Sequence, residues 1–149
     1  MTQHHPVSAP RHYQGVDGLE AITVVEAWGL GSNHYLATAL CYVLRHRRKG
    51  GAEDLAKARW YLRRLLPLIP DRHKRGSTNG QITTDLVVDQ FALSPTIANV
   101  VTAIYCAAVW EQGRNVREQV EAAIGWLTDE IERQTTRVAP VIVDEQVCA

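Results

Sequence analysis

The sequence predicts an all-α protein in which two diverged three-helix halves pack as one domain with pseudo-twofold symmetry. In six segments, apolar residues recur at the period of about 3.6 residues that is typical of amphipathic helices. Glycine and proline residues separate these segments, as expected where helices end. A short helix followed by two long helices is predicted twice along the chain, which indicates an internal duplication.

The composition and the positions of glycine and proline residues together predict how the chain is organised. Its 149 residues are 46% hydrophobic and 21% charged, which suits one domain with its own core. The expected segments are a flexible arm at 1–16, the first half at 17–69, an exposed linker at 70–82, the second half at 83–134 and an extended tail at 135–149. We expect any strand to be confined to the tail, near Val141–Val143.

Capping and stop signals place the three helices of the first half. Asp17 and Glu20 have the spacing of a capping box, which predicts the start of a short helix. The second helix is expected to start near Ser32 or Asn33 and to run to about Lys49, and the third is expected over about 52–66, where Pro67 stops it.

The second half carries its own helix signals. Ser94 and Pro95 are a favourable N-cap and first-turn pair, so a long helix is predicted from there to Trp110. Few polar residues interrupt this helix, and we therefore expect it to be the most buried one. Asn115 and Glu118 predict the start of the last helix.

Two register shifts align the halves with each other. A shift of 63 residues pairs Val24 with Val87, Val25 with Val88, Leu30 with Leu93, Tyr42 with Tyr105 and Gly50 with Gly113. A shift of 65 residues pairs Glu53 with Glu118, Ala58 with Ala123 and Leu62 with Leu127. Duplication is the interpretation we favour, with chance matching between amphipathic helices as the alternative.

The chain has the features of a cytoplasmic protein. No apolar run approaches the roughly 20 residues that a membrane-spanning helix needs, and the first residues lack the apolar core of a signal peptide. Cys41, Cys106 and Cys148 are too scattered for a disulfide framework, and no cysteine–histidine spacing of a zinc site occurs. We therefore expect reduced thiols and no metal centre built from the chain alone.

Charge is distributed very unevenly between the halves. Residues 1–75 carry 12 Lys and Arg against 6 Asp and Glu, whereas 76–149 carry 4 against 10. Such a division favours an anionic partner for the first half or charge-complementary packing between subunits, and solvated helix faces are the alternative. Together with the small size and the apolar tail, it predicts a homo-oligomer.

Four cations are expected where the second helix ends and the third begins. Arg45, Arg48 and Lys49 lie at one helix end, and Lys57 lies one turn into the next helix. Spacings of three and four residues put like charges on one face, where a bound phosphate would relieve their repulsion. Cations solvated at a helix C-terminus are the alternative interpretation.

Three carboxylates are candidate partners of these cations. Glu53 and Asp54 occupy the first turn of the third helix, where they complement the helix dipole. Asp54 is also a candidate to orient Lys57 or to hold Mg²⁺. Glu26 lies on an otherwise apolar short helix, and a partly buried carboxylate there would pair with Arg45 or bind a ribose or base edge.

The aromatic and nucleophilic residues predict little chemistry by themselves. Trp28 and Trp60 are expected in the core, with stacking on a nucleobase as the alternative. No Ser/His/Asp, Cys/His or carboxylate-pair arrangement indicates a catalytic group, and no glycine-rich phosphate loop is present.

Seven short elements follow one another in order over residues 12–65: His12-Tyr13, Val25-Glu26-Ala27-Trp28, Tyr42-Val43-Leu44-Arg45, Lys49-Gly50, Glu53-Asp54-Leu55, Lys57-Ala58 and Trp60-Tyr61-Leu62. In these elements the sequence resembles a small phage-encoded family that includes a nucleotide kinase without a Walker motif. The resemblance implies a protein of an infected or lysogenic bacterial host that binds a phosphorylated nucleoside, with Mg²⁺ accompanying the nucleotide. It also implies that His12 and Tyr13 close over the ligand.

Two functions fit these features. The first is a nucleotide kinase without a P-loop, and the second is an anti-defence protein that sequesters a nucleotide without turning it over. The segment Ala37–Cys41 replaces the family's Gly-Asn-Ala-Ile-Lys, and this loss of an Asn and a Lys favours sequestration. Nucleic-acid binding is disfavoured because the basic residues gather at helix ends, and a purely structural role is the remaining alternative. The expected ligand residues are His12, Tyr13, Glu26, Arg45, Lys49, Asp54 and Lys57.

Overall fold

The computed structural model describes residues 10–74 and 78–138, and this part of the chain is all-α, as predicted. Its six α-helices are α1 (Ala21–Ala27), α2 (His34–Arg45), α3 (Gly51–Leu65), α4 (Thr84–Gln90), α5 (Pro95–Val109) and α6 (Gly113–Val138). No strand occurs within these residues, and pairing outside helices is limited to isolated bridges. The predicted strand near Val141–Val143 lies outside the described residues.

Side-chain caps start three of the helices. Asn33 accepts a hydrogen bond from the backbone N–H of Leu36 at the start of α2. Thr83 caps α4 in the same manner, and Ser94 caps α5 ahead of Pro95. Each cap satisfies a backbone donor that the first turn of a helix leaves unpaired. The predicted start of α5 is thereby confirmed.

The start of α1 differs from the prediction. The helix begins at Ala21, and its N-cap residue Glu20 makes no side-chain cap hydrogen bond. Asp17 instead exchanges two hydrogen bonds with Gln90 at the end of α4, through its backbone N–H and its carboxylate. The capping-box interpretation is therefore wrong, because a partner 73 residues away binds the predicted cap.

The core lies between two helix pairs. The helix α2 packs on α3, α5 packs on α6, and the pairs meet through α3 with α6 and α2 with α5. Seven residues of α5 are buried, as expected for the most apolar helix. Trp28 is fully buried and donates its indole N–H to the carbonyl of Ile82, so its predicted place in the core is confirmed. The other predicted core tryptophan, Trp60, is 53% exposed, and that prediction is wrong.

Local structure repeats between the halves. The short helices α1 and α4 have seven residues each. They end at Trp28 and Phe91, whose backbone N–H groups reach carbonyls in the preceding turn. The positions that shifts of 63 and 65 residues pair are buried in both halves at Val24 and Val87 and at Leu62 and Leu127. A twofold relation between the halves remains a prediction.

The ends of the chain are more ordered than expected within the described residues. Residues 10–16 of the predicted flexible arm include a helical turn at Arg11–Tyr13, and the backbone N–H of Val16 donates to Gln90. The helix α6 continues to Val138, so 135–138 of the predicted extended tail are helical. Residues 1–9 and 139–149 lie outside the described part.

The linker between the halves is attached to the domain at both of its ends. Asn79 donates its backbone N–H to Ala27. On the other side, His73 donates to Glu111, and the carbonyl of Asp71 accepts from Gly113. A Cβ at Gly113 would lie 1.9 Å from the carbonyl oxygen of Pro70, so only glycine allows this close approach.

Within residues 10–74 and 78–138, none of the helices combines the length and the apolar character that crossing a membrane requires.

Candidate functional site

A buried ion pair joins the end of α2 to the start of α3. The Nε and Nη2 atoms of Arg45 donate to the two carboxylate oxygens of Asp54 at 2.8 and 3.0 Å. The Arg45 side chain is 12% exposed and the Asp54 side chain 1%. This bidentate contact raises the pKa of Arg45 above its ordinary value. Asp54 therefore compensates Arg45 and does not primarily orient Lys57.

Gly50 makes room for this ion pair. Its φ of 74° lies in the left-handed region, which turns the chain sharply between α2 and α3. A Cβ at this position would lie 2.4 Å from the carboxyl carbon of Asp54. The Lys-Gly of the sequence pattern therefore has a direct structural role, because only glycine lets the turn close over the carboxylate.

The N-terminal segment lies against the ion pair. Tyr13 accepts a hydrogen bond from Nη1 of Arg45 at 3.0 Å, and its ring centroid lies 5.4 Å from the guanidinium carbon. Arg48 holds the segment in place by donating to the carbonyls of Arg11 and Gln14. Of the two residues that the resemblance places over a ligand, Tyr13 contacts Arg45 directly and His12 contacts Tyr13.

His12 lies in a positive environment. Its ring centroid is 4.5 Å from that of Tyr13. Partial burial lowers the pKa of His12 below its usual value, and the positive charges of Lys49 and Arg45 lower that pKa further. A phosphate bound beside these cations would oppose this lowering of the pKa and favour protonation of the imidazole.

Lys57 lies over an aromatic ring on the same surface. Its Nζ atom is 5.6 Å from the ring centroid of Tyr42 and 3.1 Å from a carboxylate oxygen of Glu53. The guanidinium of Arg45 lies 4.7 Å from the same ring. The Lys57–Glu53 pair is largely solvated, so it contributes little energy and leaves Lys57 accessible to an anion.

Six of the seven predicted ligand residues therefore gather at one place. We call this group the junction cluster, and it comprises His12, Tyr13, Arg45, Lys49, Asp54 and Lys57. Lys49 is exposed and makes no ion pair with any described residue. The cluster thus offers two accessible cations, Lys49 and Lys57, beside one that is internally compensated.

Glu26 is the exception. Its side chain is exposed on α1, whereas Val24, Val25 and Ala27 turn towards the core. The expectation of a partly buried carboxylate is wrong, because position 26 lies on the solvent face of a short helix. Arg45 donates to Asp54 and Tyr13 instead of Glu26.

Sequence reasoning missed two features of the site. It treated Tyr42 as a position in the repeat, whereas its ring contacts both Arg45 and Lys57. It also treated Gly50 as a repeat position and a pattern element without connecting it to Asp54, although their spacing could have suggested a turn that covers an acidic side chain.

A known protein family matches the half of the chain that contains the junction cluster. The model of a family described as a protein of unknown function, DUF3310, matches residues 7–63. All seven predicted ligand residues lie within this match, and α4, α5 and α6 lie outside it. No curated protein and no solved structure matches the chain. Over its first half, the chain is similar to this DUF3310 family.

Proposed function

We propose that the chain binds a phosphorylated nucleoside at the junction cluster, in a phage or prophage setting and in the host cytoplasm. The observation that carries the proposal is the placement of two accessible cations, Lys49 and Lys57, beside the half-buried rings of His12, Tyr13 and Tyr42. Charge-assisted hydrogen bonds hold phosphates, and aromatic faces hold bases or riboses.

The state of Asp54 favours binding without turnover, as in a sequestering protein. Both of its carboxylate oxygens accept from Arg45, and it is 1% exposed, so it does not fit the role of a Mg²⁺ ligand. Glu53 is the exposed carboxylate beside the cluster and would meet a Mg²⁺ ion that enters with the nucleotide. Nucleotide kinase activity, which the family resemblance implies, is the competing proposal.

Retention of nucleotides by the purified full chain tests both proposals. The protein is incubated with a library of nucleoside mono-, di- and triphosphates and Mg²⁺, separated from free ligand and denatured. Mass spectrometry then identifies the released species. Retained, unchanged nucleotide supports sequestration, conversion between phosphorylation states supports a kinase, and retention of no nucleotide contradicts binding.

Substitutions at accessible cations tie the retained ligand to the cluster. Lys49→Ala and Lys57→Ala should each weaken binding about tenfold, since a charge-assisted hydrogen bond contributes roughly 1.5–3 kcal/mol. Arg137→Ala, which removes an exposed cation in the last turn of α6, is the matched control and should leave affinity unchanged. Unaltered affinity in both lysine variants would move the site elsewhere.

A further inference from the structure

A continuous surface of aromatic rings extends from the junction cluster along α2 and α3. Tyr61 on α3 contacts three rings of α2, with centroid distances of 5.7 Å to His34, 6.4 Å to Tyr35 and 6.1 Å to Tyr42. Trp60 meets Tyr61 edge to face at 5.0 Å. We call these five residues the aromatic band. Trp60 is 53% exposed, so the band presents a large ring to solvent.

Cations flank the aromatic band at both ends. Lys57 lies over Tyr42 at the junction end. At the other end, the guanidinium carbon of Arg64 lies 5.4 Å from the ring centroid of Trp60. Arg63 and Arg64 also line a cavity of about 380 Å³. Exposed rings between two positive ends match the chemistry of a ligand that alternates bases and phosphates.

The separation of the two ends sets the length of such a ligand. Lys57 and Arg64 are seven residues apart on α3, which corresponds to about 10 Å along the helix axis. Phosphates of one stacked strand follow each other at about 3.4 Å along its axis. A ligand whose phosphates reach both ends therefore contains more than one nucleotide.

We propose that the aromatic band and its two cationic ends bind an oligonucleotide of two or three nucleotides. Its bases stack on the exposed rings, and its phosphates meet Lys57 and Arg64. The inference rests on the proposed function, because the Lys57 end belongs to the junction cluster. The distribution of basic residues along the sequence disfavoured nucleic-acid binding. In the structure, aromatic rings from α2 and α3 lie between Lys57 and Arg64, and this arrangement favours it.

Calorimetry of the full chain with ligands of increasing length tests this proposal. The probes are 5′-phosphorylated deoxyoligonucleotides of one, two and three nucleotides with randomised bases. Affinity should rise about fivefold or more with each added nucleotide, since stacking on aromatic side chains is tolerant of base identity. Trp60→Ala should remove most of this gain and change the affinity for the mononucleotide by less than about twofold.

Two further variants separate stacking from other effects. Trp60→Phe should restore part of the gain, because it keeps an aromatic face. Trp110→Ala removes a tryptophan that is 37% exposed in the second half and should leave all affinities unchanged. Circular dichroism verifies that each variant is folded.

The possible outcomes distinguish the two proposals. Equal affinity for one and three nucleotides would overturn the oligonucleotide proposal and leave the proposed function standing. No binding at any length would overturn both. Length-dependent binding that Trp60→Ala does not reduce would place the stacking surface elsewhere. A change of oligomeric state in Trp60→Ala, with unaltered binding, would show that the aromatic band is an interface between copies of the chain.

Discussion

At the scale of single residues, the junction cluster separates cations that the sequence treats alike. Arg45 is bound by a buried carboxylate and by Tyr13, whereas Lys49 and Lys57 are accessible to solvent. Replacement of Arg45 therefore leaves Asp54 buried without its partner, and replacement of either lysine does not. A loss of ligand binding therefore reports on the site itself only in the lysine variants, because the Arg45 variant also disturbs the fold.

Asp54→Ala should destabilise the fold by about 3 kcal/mol, because it leaves the guanidinium of Arg45 without its buried counter-charge. Urea unfolding measures the change. Glu53→Gln is the matched control: it removes the neighbouring, solvated carboxylate and should cost less than about 0.5 kcal/mol. Similar costs for the two variants would contradict the structural role assigned to Asp54.

Lys49→Gln should raise the pKa of His12 in the folded protein. The positive charge of Lys49 is one of the causes that lower this pKa, after desolvation. Titration of the imidazole resonances by NMR measures the shift. Lys74→Gln, which removes an exposed cation beyond α3, should leave the pKa of His12 as it is in the parent. An unchanged pKa of His12 in Lys49→Gln would show that Lys49 does not lie close to His12 and is not part of the junction cluster.

At the scale of secondary-structure elements, the turn between α2 and α3 builds the site. It places the last residue of one helix, Arg45, beside the first turn of the next, and it does so through two consecutive glycines with positive φ. Gly50 and Gly51 differ in one respect. A Cβ on Gly50 would overlap Asp54, whereas a Cβ on Gly51 would meet no atom within 4 Å.

Gly50→Ala should therefore destabilise the protein more than Gly51→Ala. Both variants pay the left-handed backbone penalty of about 1–2 kcal/mol, and the overlap at position 50 adds roughly 1–3 kcal/mol. Thermal or urea unfolding of the two variants gives the comparison. Equal stabilities would mean that the turn accommodates the added methyl group without moving Asp54.

At the scale of the whole molecule, the two halves have the same order of helices, but only the first half contains the junction cluster. The junction cluster belongs to the first half, and the equivalent junction between α5 and α6 is closed by contacts of Gly113 with the linker. The second half supplies much of the packing surface, since α5 and α6 form one of the two helix pairs of the core.

Stability should fall as the pH decreases from 7 towards 5. Burial lowers the pKa of His12, His46 and His73 below 6.5 in the folded protein. The unfolded chain therefore binds protons first as the pH falls through 6.5, and this favours unfolding. Urea unfolding across this range measures the trend, and His46→Gln should flatten it. Stability that is constant or that increases between pH 7 and 5 would contradict the lowered pKa values.

The opposite charges of the halves predict a homo-oligomer, and salt should weaken it. Light scattering at low ionic strength should give a mass above that of one chain, and the mass should decrease when salt screens the charges. A monomeric mass at every accessible concentration and ionic strength would refute the prediction. The uneven charge of the two halves would then be explained by binding of an anionic ligand.

The sequence by itself determined the six helices and some of their ends, such as the starts of α2 and α5. Ser94, Pro95 and the glycines act through neighbours within one turn, so their effects can be derived from local spacing. The grouping of cations around Arg45 was predictable for the same reason, since a short turn brings the end of α2 close to the start of α3.

Only the tertiary structure decided which side chains meet across helices. The pairing of Asp17 with Gln90, the exposure of Glu26 and Trp60, and the contacts of Tyr61 with α2 depend on how each helix is rotated against its neighbours. That rotation results from packing of the whole core, in which residues far apart in sequence compete for the same space. Local sequence patterns do not contain this information, because the apolar face of one helix can pack against its neighbours in several orientations.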